Sequence, residues 1–147
     1  MPSISLQIAS RIVDESLGKG RDLGFQPLTV AVLDAGGQLK AFKREDRSSL
    51  LRPEIAIGKA WGVLGMGHGG RELARRAAKV PMFYNALSVM SGGRMVPVPG
   101  GVLIRSDSGN VLGSVGISGD HGENDEICAV YAIEAVGLIA DTGENCK

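Results

Sequence analysis

The stretch VPGGVLIRSDSGNVLGSVGISGDHGENDE, residues 98–126, decides how the rest of the chain is read. Two short apolar runs, 102–105 and 111–118, flank Ser106-Asp107-Ser108-Gly109-Asn110. Those five residues bond their own backbone or accept positive φ, so the runs are expected to pair as an antiparallel hairpin at the centre of a sheet. Gly113 and Gly116 lie inside the second run, where glycine weakens a strand unless something approaches the backbone closely, either a ligand or a helix. Beyond it, Ser118-Gly119-Asp120-His121-Gly122 leads into Glu123, Asp125 and Glu126. Asp120 and Glu123 have the spacing of a capping box, and acids are favoured at a helix start. The acids therefore read as a helix N-terminus or as the polar floor of a pocket.

Outward from this stretch, the chain has 147 residues, 44% apolar content and zero formal net charge. That suits one globular domain over 1–147 with a sizeable core. Basic residues form no long run, which argues against a nucleic-acid or membrane-surface partner. The start of the chain lacks a basic segment followed by an apolar core, and no run is long enough to span a bilayer, so the expected location is the cytoplasm. Cys128 and Cys146 lack metal-ligand spacing and are read as reduced thiols.

Residues 3–24 carry Leu6, Ala9, Val13 and Leu17 at helical steps, ended by Gly18, Gly20 and Gly24 with Pro27 behind. Residues 28–33 form a β-branched run, followed by the Asp34-Ala35-Gly36-Gly37 turn signal and an alternating strand over 38–43. A helix is expected from Arg52-Pro53-Glu54. Within it Lys59 stands alone among apolar residues, seven positions from Arg52 and on the same face. A bound carboxylate can bridge the two, or the lysine can lay its stem across the surface and reach water. Gly58, Gly62 and Gly65 are expected to let this helix pack onto the hairpin glycines.

His68 sits in a glycine-rich tip and reads as a solvated residue, with metal ligation as the alternative. A short basic helix over 72–79, with Arg71, Arg75, Arg76 and Lys79, reads as a solvated or partner-facing surface. An apolar segment over 81–90 follows. The last helix, 124 to about 141, is apolar on nearly every side, so part of its cover is expected from another subunit in a homo-oligomer.

Asp34-Ala35-Gly36-Gly37 after Val-Ala-Val-Leu, the Ile-Ala-x-x-Lys-Ala of 55–60, Pro99-Gly100-Gly101-Val102, and residues 111–120 followed by Asn124-Asp125-Glu126 together resemble the GlcG/HbpS-like family, whose domain also forms the C-terminal part of PduO proteins. The resemblance covers almost the whole chain. It implies a profilin-like α/β/α sandwich, an α+β fold with a five-stranded antiparallel sheet flanked by helices, commonly assembled into dimers or larger rings. Members are described variously as haem-binding, haem-degrading or corrinoid-associated, and many belong to catabolic operons. Fold alone does not assign function.

For this chain the resemblance implies a small-molecule pocket near Lys59, with Arg52, Gly100, Gly101, Gly113, Ser118, Gly119 and Asp120 around it. His68 and His121 depart from the family pattern, so it gives neither an axial-ligand role and no metal ligand is assigned. Two readings follow. In one, haem or a related planar anion is bound in an oligomer pocket, its carboxylates paired with Arg52 and Lys59 and an axial nitrogen offered by His121 or His68. In the other, the chain is a small catabolic enzyme of lyase or isomerase type acting on an aromatic or organic carboxylate, with Lys59, Glu54 and His121 as the catalytic set.

Overall fold

The computed structural model describes residues 2–144; Cys146 lies outside them. The elements in chain order are α1 (Leu6–Asp22), β1 (Thr29–Asp34), β2 (Leu39–Arg44), α2 (Arg52–Met66), α3 (Gly70–Lys79), α4 (Pro81–Met90), β3 (Gly101–Arg105), β4 (Val111–Ser118), α5 (Gly122–Ala135) and β5 (Ile139–Asp141). The strands form one five-stranded sheet in the order β2-β1-β4-β3-β5, antiparallel throughout. The expected hairpin of β3 and β4 occupies its middle, closed by a turn in which the Ser106 N–H donates to Asn110 O and Gly109 takes φ +89°.

Alternation along β4 sends successive side chains to opposite faces. Val115 and Ile117 join Val30, Val32, Val102 and Ile104 in a core closed by Ala9, Ile12 and Val13 of α1 and Cys128, Ala129, Ala132 and Ile133 of α5. Full burial of each aliphatic side chain in such a core stabilises by roughly 1.5–3 kcal/mol. On the opposite face, small groups of β4 and β3 meet α2 at its closest approach. A Cβ built on Gly116 would stand 1.9 Å from Ala56 O, and one on Gly101 2.6 Å from Lys59 O. Two residues before Gly116, the Ser114 hydroxyl donates to Ala60 O at 2.7 Å. Beyond α2, a smaller cluster of Val63, Leu73, Tyr84, Met95 and Leu103 attaches α3 and α4.

Several expectations are corrected. In α1 the buried stripe is Ala9, Ile12, Val13, Ser16 and Gly20, while Leu6 is exposed. The α2 glycines do not meet the hairpin: a Cβ on Gly58 would touch Val96 and Arg94 O, one on Gly62 would touch Met95, and Gly65 faces the Trp61 ring. Gly58 and Gly62 make room for the 94–96 segment crossing over the helix. The last helix ends at Ala135, because Gly137 turns the chain at φ +80° and residues 139–141 pair with β3 as the sheet's fifth strand. Cover for α5 comes largely from α1 and the sheet, leaving Ile127 and Tyr131 exposed.

The basic surface of α3 is also divided. Arg71 forks onto Glu126 of α5 at 2.9 Å, and Arg75 binds Glu72 at 3.0 Å and the Gly143 carbonyl. Those two arginines are structural ties, whereas Arg76 and Lys79 face solvent.

If α2 seats directly on the glycine backbone of β4, Gly116→Ala should lower the urea midpoint by about 3 kcal/mol or more of stability, since the atom it meets is backbone. Gly18→Ala, in α1 with open space around it, should raise it by about 0.5–1 kcal/mol. Equal midpoints for the two variants would rule out the close seating.

Candidate functional site

Arg52 and Lys59 both reach the C-terminal end of β4, as their seven-residue separation on one helix face requires. The Arg52 guanidinium donates to Ser49 Oγ and Ser118 Oγ, each at 3.1 Å. Lys59 Nζ donates to the Ile117 carbonyl at 2.8 Å, one residue earlier on the same strand. The two cations differ in depth. Arg52 lies half-buried at the rim, whereas Lys59 is 4% exposed and pairs at 3.1 Å with Asp125 of α5, which is fully buried.

Burial dominates the protonation of both partners. It lowers the Lys59 ammonium from the usual lysine range, opposed by the Asp125 charge beside it. It likewise raises the Asp125 carboxyl, opposed by Lys59 and by the Asp120 N–H that donates to Asp125 Oδ1 at 3.0 Å. Each group needs the other to remain charged away from water. Lys59 therefore clasps α2, β4 and α5 together from inside.

The expected Asp120–Glu123 capping box does not form. α5 begins at Gly122, after His121, and no side chain caps its first turn. Asp120 instead accepts from the Gln26 N–H at 2.8 Å on Oδ2, and from the His121 N–H at 2.7 Å and Asn124 Nδ2 at 2.8 Å on Oδ1. These bonds, the Gln26 one foremost, hold its carboxyl below the usual aspartate range. Asp120 thus anchors the segment before β1 to the entrance of α5.

The glycines of the expected pocket meet the protein's own atoms. A Cβ on Gly100, where φ is +108°, would stand 2.7 Å from Lys59 Nζ; on Gly113 it would meet Leu33 O, and on Gly119 Pro27 O. With Gly101 against Lys59 O, all four admit neighbouring chain. Glu54 is exposed on the first turn of α2 and His121 is exposed before α5. No hydrogen bond joins Lys59, Glu54 and His121 into a proton-transfer set among the described residues. His68, between α2 and α3, lines a cavity of about 530 Å³ with Arg105, Asp141 and Glu144. Among the described residues no group of three or more His, Cys, Asp or Glu side chains is gathered to hold a metal.

Sequence reasoning missed the Lys59–Asp125 pairing, although a lone lysine in an apolar helix and an acid opening another apolar helix carried the signal. It also missed two buried hydroxyls, Thr29 Oγ1 and Ser48 Oγ, which have no hydrogen-bond partner among the described residues. Thr29 lies directly across β1 and β4 from Ser118, so one orphan hydroxyl sits beside the Arg52 anchor. No sequence pattern announces it. Cys128 is a buried free thiol, pushed up to about 11 by burial. No helix of the described residues is long and apolar enough to cross a membrane.

Comparison with known proteins places this geometry. The family model for haem degrading protein HbpS-like matches residues 4–134. The corrinoid adenosyltransferase PduO of Citrobacter freundii is 28% identical over 136 residues, 92% of this chain. The chain spans 40% of the length of that enzyme. Among solved structures, a PduOC–haem complex is 27% identical with a TM-score of 0.82, covering 92% of this chain and 96% of that one. Klebsiella pneumoniae ORFY, 23% identical with a TM-score of 0.84 over 93% of this chain and 92% of that one, shares the fold.

Breaking the buried pair on one side should be costly. Lys59→Met is expected to destabilise by about 3–5 kcal/mol in urea unfolding, because Asp125 is left charged and unpaired. Lys59→Met with Asp125→Asn should recover much of that loss, since the charge goes and the acceptor for the Asp120 N–H stays. A single variant as stable as the parent would refute the clasp.

Asp120 predicts a pH dependence. Its folded carboxyl binds a proton more weakly than the unfolded one, so its stabilisation is complete above the ordinary aspartate range and is lost as pH falls through the folded value. Asp120→Asn should flatten the acid limb of a Tm-versus-pH curve below about pH 5. Superimposable acid limbs would show that the three donors do not favour the charged form.

Proposed function

We propose, since the chain belongs to the haem degrading protein HbpS-like family, that it binds haem or a related planar anion on the face at the starts of α2 and α5, in a pocket completed by another copy. The observation that carries this reading is Arg52: it is fixed at Ser118, one residue beyond the Lys59 contact on β4, yet remains at the rim. Its guanidinium engages two acceptors and has donors left for a carboxylate. The start of α2, with Leu51 at the N-cap and no side-chain cap, adds the positive end of its dipole.

The neighbouring residues suit the rest of such a ligand. Leu50 is 86% exposed and Leu51 is also open, giving apolar surface next to the arginine in the chain, and Val98 is open on the segment leading to Gly100. His121 follows Ser118 by three residues, within about 11 Å along the chain, and the adjoining Gly122 packs on Pro99. An exposed imidazole before α5 and a guanidinium at the start of α2 thus stand at the same end of β4, where the orphan Thr29 hydroxyl lies across from Ser118. Haem fits this donor set: carboxylates at Arg52, the ring edge on Leu50, Leu51 and Val98, and the His121 nitrogen available to iron. When bound, haem would supply redox-active iron. Lys59 holds the floor of the site together.

A second copy is the proposed cover. The outer face of α4 leaves Met82, Val89 and Met90 at about 80% exposure, an apolar surface of the kind that another copy can cover. The same reading takes 1–147 as one domain working in the cytoplasm, where Cys128 stays reduced.

Haemin titration followed by absorbance, with size-exclusion chromatography of the same sample, tests this function. The expected result is a saturable, stoichiometric Soret shift on a species larger than the 15.3 kDa chain. Arg52→Ala should weaken binding roughly tenfold, and His121→Ala should move the Soret band. A non-saturating shift, or one indifferent to both variants, would overturn the reading.

A further inference from the structure

A separate cavity of about 320 Å³ lies at the corner between α3 and α4, lined by Met66, Arg76, Lys79, Val80, Phe83 and Tyr84. Its walls are chemically divided. Met66 at the end of α2, Val80 at the corner and Phe83 on α4 supply apolar surface. The Phe83 and Tyr84 rings meet edge to face, with centroids 5.7 Å apart, which holds the aromatic wall in one orientation.

Arg76 and Lys79 stand three residues apart on the last turn of α3, so they share one side of the opening. Basic residues at a helix C-terminus ordinarily complement its dipole, and that alone accounts for their position. It does not account for Tyr84. Its ring is buried, while its hydroxyl has no hydrogen-bond partner among the described residues and is open in the cavity it lines, within electrostatic reach of Arg76 and Glu72. A tyrosine whose ring is buried normally directs its hydroxyl to a partner, whether protein, water or ligand.

The cations are only partly engaged. Glu72 makes its shorter contact with Arg75, at 3.0 Å, and approaches Arg76 only to 3.6 Å. Lys79 makes no ion pair among the described residues. Volume, an apolar wall, two cations on one rim and an unpartnered hydroxyl open to the cavity converge on one ligand chemistry.

We infer that this corner is a second binding site, for a small aromatic monocarboxylate, whose ring lies against Met66, Val80 and Phe83 and whose carboxylate accepts from Arg76, Lys79 and the Tyr84 hydroxyl. It is independent of the face at Arg52. Two added cations and a phenol favour an acid over an uncharged aromatic of the same shape, and the cavity is too small for a large ring system.

Isothermal titration of the full chain with 2-naphthoate, and with 2-naphthalenemethanol as the uncharged counterpart, reads this site. Saturable naphthoate binding is expected, with the alcohol binding more weakly. R76Q/K79Q should reduce naphthoate affinity roughly tenfold or more and leave the alcohol unaffected. Y84F should reduce naphthoate affinity severalfold while the unfolding midpoint holds, because the hydroxyl it removes has no protein partner. R52A should leave naphthoate binding unchanged, whatever it does to haemin. Absence of saturable binding, equal affinities for acid and alcohol, indifference to R76Q/K79Q, or loss of naphthoate binding in R52A would each overturn the inference.

Discussion

The carbonyl of Ala56 lies where the Cβ of any larger residue at position 116 would have to be, and the rest of the molecule is arranged around that contact. A helix ordinarily stands off a sheet by the thickness of two side-chain layers. Here Gly116, Gly101 and Ser114 remove one layer, so α2 settles nearly onto the β-backbone and its own Ala60 carbonyl becomes an acceptor for a strand hydroxyl. Such closeness brings the Lys59 stem deep between α2 and β4. A lysine at that depth cannot reach water, and the fold must supply its counter-charge from the other side of the sheet's end. Asp125 does so, which in turn sets where α5 begins and makes Asp120 turn its carboxylate back to Gln26. One steric permission in β4 thus propagates through charge to the placement of three segments.

The elements themselves were largely legible. The hairpin of residues 102–105 and 111–118 was readable because Ser106 to Asn110 is chemically a turn and the flanking runs are apolar. The opening of α2 was readable from Pro53, and the membership of the family from the glycine pattern. What escaped were relations between distant parts. The end of α5 depended on Gly137, which reads as an ordinary glycine until residues 139–141 find an unpaired edge on β3. The α2 glycines carry a small-residue spacing that says another backbone comes close. It does not say which, and the crossing segment 94–96 took the place expected for the hairpin.

The candidate site was legible in composition and not in depth. Helical spacing correctly put Arg52 and Lys59 on one face, but it is blind to how far each end of a helix sinks. Asp125 was visible only as one of several acids at a helix start. The same limit hides Tyr84, whose neighbours along the chain show nothing unusual; its unpartnered hydroxyl exists only once α3, α4 and the end of α2 converge.

Depth also sorts the two cations of α2 by role. An ammonium has three donors, and Lys59 has committed two of them to Ile117 and Asp125 inside a dry contact. Moving it toward a ligand would strand a buried carboxylate, a cost larger than an added carboxylate contact returns. Arg52 has five donors, two of them on the hydroxyls of Ser49 and Ser118, neither of which carries a charge to be stranded. A ligand carboxylate can therefore engage the remaining fork without dismantling anything. In the proposed reading recognition belongs at the rim and cohesion at the floor, and the two can share one helix face because seven residues of rise separate their depths.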